Sequence, residues 1–297
     1  MATQQQSPAT TSAAHFAALH APGNPLVVPN IWDLSSLKTV LSLNPSSSSS
    51  SSSSTTTTTS RPVKAIATAS YAIAESLGLA DADLSLGANL IRIAQLAPRV
   101  RAAGLPLTVD IQDAYGDRLD EVVAAVARAG AAGANVEDLR GDGTLWGCEE
   151  QVRRIRRVIR VAAENGCEGF VVNARCDVMG PASKRLRGGG GDEDEDEEAR
   201  LLDETVRRGK RYLEEAGATI VFVWGGRRGL RDAEVRTLVR EFGGRLAVKL
   251  AAGEDALSVK ELADLGVARI SVGPSLYLAA NKTVREAAER IVGGGRL

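Results

Sequence analysis

The run Val109-Asp110-Ile111-Gln112-Asp113-Ala114-Tyr115-Gly116-Asp117 places carboxylates and an amide where an apolar stretch ends. An acidic pair, Glu137-Asp138, closes the apolar run from Ala134, and a polar set, Asn173, Arg175 and Asp177, closes the next one. If these ends are neighbours, Asp110 and Glu137 sit at equivalent depth and repel one another unless a cation lies between them. Arg175 then either faces an anionic ligand or neutralises a carboxylate as a structural ion pair, and the residues alone leave both open. An oxygen-only donor set suits Mg2+ or Mn2+, which keeps several waters and takes one or two carboxylates from protein. The only histidines, His15 and His20, precede the first apolar run, so a His-based relay or zinc site has to draw on the N-terminal arm. Cys148, Cys167 and Cys176 show no CxxC spacing, which leaves them as free thiols.

These groups need elements to hold them. Eight short β-rich runs are legible: Leu26–Pro29, Ala65–Ala69, Leu107–Ile111, Ala134–Glu137, Phe170–Ala174, Ile220–Trp224, Leu246–Leu250 and Arg269–Val272. Helical periodicity fills the intervals at 33–43, 87–103, 117–131, 149–165, 199–216, 231–242 and 258–265, and six of these intervals end on Gly104, Gly130, Gly166, Gly217, Gly243 and Gly266. The runs are apolar on both faces, as in a parallel sheet buried under helices. Eight such units predict a (β/α)8 TIM barrel, with an open eight-stranded sheet as the alternative. In a barrel, function gathers at the C-terminal strand ends. Those ends carry Asn30, Trp32 and Asp33; Ser70 and Tyr71; Asp110 and Gln112; Glu137 and Asp138; Asn173, Arg175 and Asp177; Trp224; Lys249; and Ser271 with Gly273.

Residues 1–24 read as an N-terminal arm and 25–297 as one barrel domain. Two low-complexity tracts interrupt it, a Ser/Thr run at 45–62 and a Gly-rich, then acidic run at 181–197; both are expected as disordered loop insertions, since loops accept length at little closure cost. A net charge of −1 gives no footprint for nucleic acid or an anionic membrane, and no run approaches a membrane span. With one Lys and no Arg in the first 60 residues, no leader is indicated and a cytoplasmic protein is expected.

The stretches NIWDLSS (30–36), AIATASYAIAESLGLAD (65–81), PLTVDIQDAYGD (106–117), AGAAGANVED (129–138), NARCDV (173–178), YLEEAGATIVFV (212–223) and LADLGVARISVG (262–273) together resemble the isocitrate lyase and phosphoenolpyruvate mutase superfamily. Its branches similar to carboxyvinyl-carboxyphosphonate phosphorylmutase and to oxaloacetate or phosphonopyruvate hydrolase are nearest in pattern. The resemblance implies a lyase, mutase or hydrolase acting on a small 2-oxo or 2-hydroxy carboxylate or phosphonate through an enolate-type intermediate, with Mg2+ or Mn2+ polarising the oxo group. It implies a homo-dimer or homo-tetramer that exchanges its C-terminal helix. By motif it casts Asp110 as the main metal ligand, Gln112 at a second position acting through water, Glu137 as the Glu of the acidic pair, and Asp81 in the outer metal shell. Ser70 and Tyr71 amides cradle the substrate carboxylate, and Arg175 pairs with it or with the oxo oxygen; Arg175 and Glu137 are the expected catalytic groups.

The departures are specific. Gln112 removes a charge from the metal environment, Ala114 replaces a usual Gly before Tyr115-Gly116, and Cys176 stands where Thr is common. Leu139–Glu149 corresponds to a mobile gating loop but carries neither Lys nor His, and Cys148 reads there as an ordinary loop thiol. Isocitrate lyase activity is therefore disfavoured, and a catalytically degenerate binding or scaffold protein is the alternative.

Overall fold

The computed structural model describes residues 8–45, 61–180, 195–226 and 228–297. The Ser/Thr tract, apart from its edges, and residues 181–194 lie outside these. Among the described residues the elements run α1 (Pro8–Ala18), β1 (Leu26–Val28), β2 (Asn30–Ile31), α2 (Leu34–Leu41), β3 (Ile66–Thr68), α3 (Ser70–Ser76), α4 (Leu86–Ala102), β4 (Leu107–Asp110) and α5 (Leu119–Ala129). They continue as β5 (Gly133–Glu137), α6 (Cys148–Glu164), β6 (Val171–Cys176), α7 (Glu195–Glu214), β7 (Ile220–Val223), α8 (Asp232–Glu241), β8 (Leu246–Lys249), α9 (Val259–Asp264), β9 (Arg269–Ser271) and α10 (Ser275–Val292).

Every strand pair is parallel, in the order β1-β9-β8-β7-β6-β5-β4-β3-β2. The first expected strand is two pieces. Pro29 has no N–H to give the ladder, so β1 pairs with β9 on one side of it and β2 with β3 on the other. The sheet ends are thus consecutive in the chain, and the sheet closes as a (β/α)8 barrel. All eight expected strand positions and the seven expected helices are present.

The helices show why their sequences fold this way. Leu119, Val122, Val123, Val126 and Ala127 form one buried stripe along α5, and Gly130 ends it in the left-handed region at φ 94°. At the start of α2 the Asp33 carboxylate accepts the Ser36 amide at 2.7 Å, closing a capping box. Residues 195–197, expected inside the acidic insertion, instead open α7, where acidic residues suit the positive end of the helix dipole. No helix among the described residues is long and apolar enough to cross a membrane.

Strand parity then fixes the site. Val172, Ala174, Val248 and Ile270 are buried within the main core, while the alternate residues Asn173, Arg175, Lys249, Arg269 and Ser271 of the same strands are polar; on β7 both faces are apolar, Val221 and Val223 on one and Ile220 and Phe222 on the other. The N-terminal segment contributes more than an arm: Ala13 and Phe16 of α1 are fully buried in that same core. The guanidinium of Arg269 lies 5.7 Å from the Phe16 ring, and His20 packs edge-on against that ring at 4.8 Å.

His20 gives this end of the protein a pH dependence. Burial, then the charge of Arg269, lower its pKa from 6.5 to about 4. The unfolded chain takes up a proton at pH 6.5 that the folded chain refuses until about pH 4, so stability is full above 6.5 and falls as pH drops toward 4. The expected loss is about 3 kcal/mol. Urea denaturation between pH 7 and 4 should show this loss in the wild type and its absence in His20→Gln; parallel curves would remove His20 from the acid response.

Candidate active site

Asn30, Ser70, Tyr71, Asp81, Asp110, Asn135, Arg175, Trp224, Lys249 and Ser271 line one cavity of about 130 Å3 at the C-terminal mouth. Gln112 and Glu137 line the adjoining hollow, which shares Asp81. The structure therefore gathers Ser70, Tyr71, Asp81, Asp110, Gln112, Glu137 and Arg175 at this end of the barrel. A larger hollow of about 810 Å3 lies at the opposite end, around His15, Arg101 and Arg128, away from these groups.

The opening segment is under backbone strain. Gln112, Ala114 and Tyr115 have φ of 52°, 60° and 55°, a region that costs a non-glycine residue roughly 1–2 kcal/mol. Its surroundings hold it there. Asn89 donates to the Asp110 carbonyl at 3.0 Å and to the Tyr115 hydroxyl at 2.9 Å, and Arg154 donates to the carbonyls of Asp113 and Gly116. The result turns Gln112 back onto the Asp81 turn, where its Nε2 donates to the Asp81 carbonyl at 2.8 Å and to Oδ1 at 3.2 Å. Two acceptors there fix which way the amide points.

Asp110 and Glu137 do not share a level. Asp110 is in register with Asn135, and Glu137 stands two residues nearer the mouth, opposite Arg175. The charge of Asp110 still reaches Glu137 from this lower level, after burial, Arg175 and Asp177. The Asp110 Oδ2 accepts the Ser70 amide at 3.2 Å and the Ser70 hydroxyl at 3.1 Å. Asp110 also raises the pKa of Asp81, second only to burial as a cause. Asp81 thus feels the like charge of Asp110, which the Ser70 and Gln112 hydrogen bonds and the charge of Arg175 partly offset.

Glu137 is held by Arg175, Nη1 to Oε2, at 2.7 Å. The same guanidinium donates Nε and Nη2 to Asp177 Oδ1 at 3.0 and 2.7 Å and lies over the Trp224 ring at 4.8 Å. Burial works against the charge of Arg175, but Asp177, Glu137 and Asp110 outweigh it and hold the group ionised. One guanidinium serves two buried carboxylates, so burial still raises Glu137 well above the ordinary range and Asp177 to about 6. The structural ion pair left open by the sequence is present, and the residue that forms it also faces the cavity.

Asp138, next to Glu137, has a separate environment. Fully buried, it accepts Tyr212 Oη at 2.8 Å, Arg208 Nη1 at 3.1 Å and the Asp177 amide at 2.8 Å, which ties α7 to the strand end bearing Arg175. The segment after it folds back on itself through a Leu139–Leu145 bridge, and the Trp146 amide returns to the Asp138 carbonyl at 2.8 Å. Cys148 is not in that loop; it is buried as the first residue of α6.

Sequence reasoning placed Asp177, Trp224, Lys249 and Ser271 at strand ends without giving them roles, and it passed over Asn135 and Arg269. Asn135 and Asn173 carried a signal: each stands two residues before a site residue, hence on the same strand face.

Among the described residues no three His, Cys, Asp or Glu side chains already converge as a metal cluster. That geometry is not a requirement for Mg2+ or Mn2+, which binds through one or two carboxylates, waters and ligand oxygens. Asp81 and Asp110, near enough to repel, fit such an ion.

Polar groups of several strands meeting at the C-terminal mouth define a barrel enzyme that handles a small ligand there. The sequence pattern of the phosphoenolpyruvate phosphomutase family matches residues 16–292. The chain belongs to this family. A candidate phosphonomutase of Burkholderia cenocepacia J2315 is 31% identical, with a TM-score of 0.76 over 97% of this chain and 100% of that one. A candidate lyase/mutase of the same organism is 28% identical, with a TM-score of 0.74 over 95% and 89%. An uncharacterised protein of Mycobacterium tuberculosis H37Rv is 29% identical over 95% of this chain and 90% of its own.

Proposed function

We propose that the protein breaks or rearranges a C–C or C–P bond in a small 2-oxo or 2-hydroxy carboxylate or phosphonate, with Mg2+ or Mn2+ as its ion. The observation that supports this most is the division of the mouth, with the mutually repelling Asp81 and Asp110 on one side and the Arg175 fork on the other. Asp110 and Asp81 would hold the ion, with Glu137 and Gln112 acting through water. When bound, it supplies positive charge for the oxyanion that develops as the bond breaks.

The chain's own groups do the positioning. Ser70 and Tyr71 amides receive the substrate carboxylate, Ser70 exchanging its bond to Asp110 for one to the ligand. Arg175, kept ionised and lying over Trp224, donates to the oxo oxygen or carboxylate while Asp177 fixes its orientation. A second reading, a member that binds without turning over, is favoured by the Gln112 amide beside Asp81 and by a loop with no Lys or His. We also read α10 as the segment exchanged between two copies, since none of its residues is buried and Leu276, Leu278, Val284, Ile291 and Val292 are exposed.

The test is turnover of oxaloacetate, phosphonopyruvate and 2-methylisocitrate with Mg2+ and with chelator. Consumption of one of them, lost on chelation, is the expected result. Oxalate binding without any turnover selects the second reading, and absence of both sinks the two together. Gln112→Glu is expected to tighten Mn2+ by about tenfold, since site charge tunes cation affinity. Calorimetry giving an unchanged affinity would show that position 112 does not face the ion.

A further inference from the structure

The largest fully buried side chain among the described residues is an arginine, Arg269. It stands two residues before Ser271 on β9, so the two share a face; Ser271 lines the mouth cavity, and Arg269 sits one layer deeper in the lumen. Its Nε donates to Ser271 Oγ and its Nη2 to Asn135 Oδ1, both at 3.3 Å. Among the described residues its Nη1 has no hydrogen-bond partner, and no carboxylate pairs with the guanidinium. Arg175 and Arg208, by contrast, each hold two acids.

Beneath Arg269 the lumen is closed by apolar groups. The Phe16 ring of α1 lies 5.7 Å from the guanidinium, in space left by Gly133 of β5, where a Cβ would come within 3.2 Å of that ring. His20, packed on the same ring, is neutral at pH 7. A charge enclosed in this way is screened by neither water nor a counter-ion, and apolar walls direct its field toward the open end. At that end stands Asn135, with Asp110 in register beside it on β4. Burial lowers the pKa of Arg269 from 12.5 to about 10, and the charge that opposes burial is that of Asp110. Keeping a buried cation without a counter-ion costs stability, and an apolar side chain of similar length avoids that cost. Packing alone therefore gives no reason for an arginine here.

We infer that Arg269 sets the charge balance of the ion site from below: it weakens the hold on a bare divalent cation and strengthens the hold on the anion that joins it. The ion is then held firmly only together with its anionic ligand. This rests on the ion proposed at Asp81 and Asp110, and it assigns the tuning of that ion to a residue that touches neither ion nor ligand.

Calorimetry titrates Mn2+ into the wild type, Arg269→Met, Arg269→Gln and Arg269→Lys, and then oxalate into each protein saturated with Mn2+. Arg269→Met should bind Mn2+ roughly tenfold more tightly and oxalate roughly tenfold more weakly, the scale of one buried unit charge acting over several ångströms. The product of the two affinities should stay near that of the wild type, because the ion and the dianion carry opposite charges of equal size. Arg269→Gln keeps donors without the charge and should follow Arg269→Met, whereas Arg269→Lys keeps the charge and should stay near the wild type. A merely structural arginine moves both affinities in one direction or moves neither; either result, or an Arg269→Lys protein that behaves like Arg269→Met, overturns the inference while the ion reading stands. A wild type that takes up no Mn2+ overturns both. Melting curves accompany each variant, and the comparison of Arg269→Gln with Arg269→Lys decides the matter if Arg269→Met fails to fold.

Discussion

Arg175→Ala is expected to melt well below the wild type and to lose oxalate binding as well. The guanidinium joins Glu137 and Asp177 at 2.7 Å each, and removing it leaves two buried carboxylates with burial already pressing against their charge. Stranding a buried charge in this way costs on the order of 3–5 kcal/mol. Arg175→Lys separates the two duties. A lysine restores charge between the carboxylates but not the fork, so stability should recover to within about 2 kcal/mol of the wild type while turnover and oxalate affinity stay down by tenfold or more. Paired melting and calorimetry decide it. An Arg175→Ala protein that melts normally removes the ion pair as a structural element; an Arg175→Lys protein that binds oxalate like the wild type removes Arg175 from ligand recognition.

Asp110→Ala is expected to abolish Mn2+ binding with little change in melting temperature. Two opposing effects act on the fold. Ser70 loses the acceptor of its amide and hydroxyl, a cost of about 1–3 kcal/mol for buried donors. Against it, Asp81 is relieved of the like charge that raises its pKa. The ion has no such compensation, because Asp81 is then the one carboxylate left to hold it directly, with Glu137 and the Gln112 amide acting through water. Calorimetric titration with Mn2+ checks the first part and thermal melting the second; undiminished Mn2+ affinity would place the ion away from Asp110.

The two variants probe groups of very different legibility. That Asp110, Glu137 and Arg175 stand at strand ends was readable from the chain, because an apolar run stopping at a polar residue is a local pattern. Glycines such as Gly130 and caps such as Asp33 marked the helix limits for the same reason, since each acts on its own turn of backbone. The acidic start of α7 was misassigned because composition alone does not distinguish a solvated acidic loop from a helix N-terminus. Likewise α1 carries only a weak apolar pattern, and Phe16 becomes core because the barrel end above it is open to be covered.

The levels and partners at the mouth belong to the tertiary structure. Parity says that Asp110 and Glu137 face inward, but the stagger between parallel strands decides that Asp110 stands beside Asn135 while Glu137 meets Arg175. Closure decides the rest: Arg269 reaches Asn135 across 134 positions, and Asp138 meets Arg208 and Tyr212 from 70 and 74 positions away. Sequence by itself determined the barrel, the end of it where these polar groups gather and their residue types, because period and burial are written into each segment. Which carboxylate faces which cation was decided only when the sheet closed, since that pairing depends on distances between segments that no single segment contains.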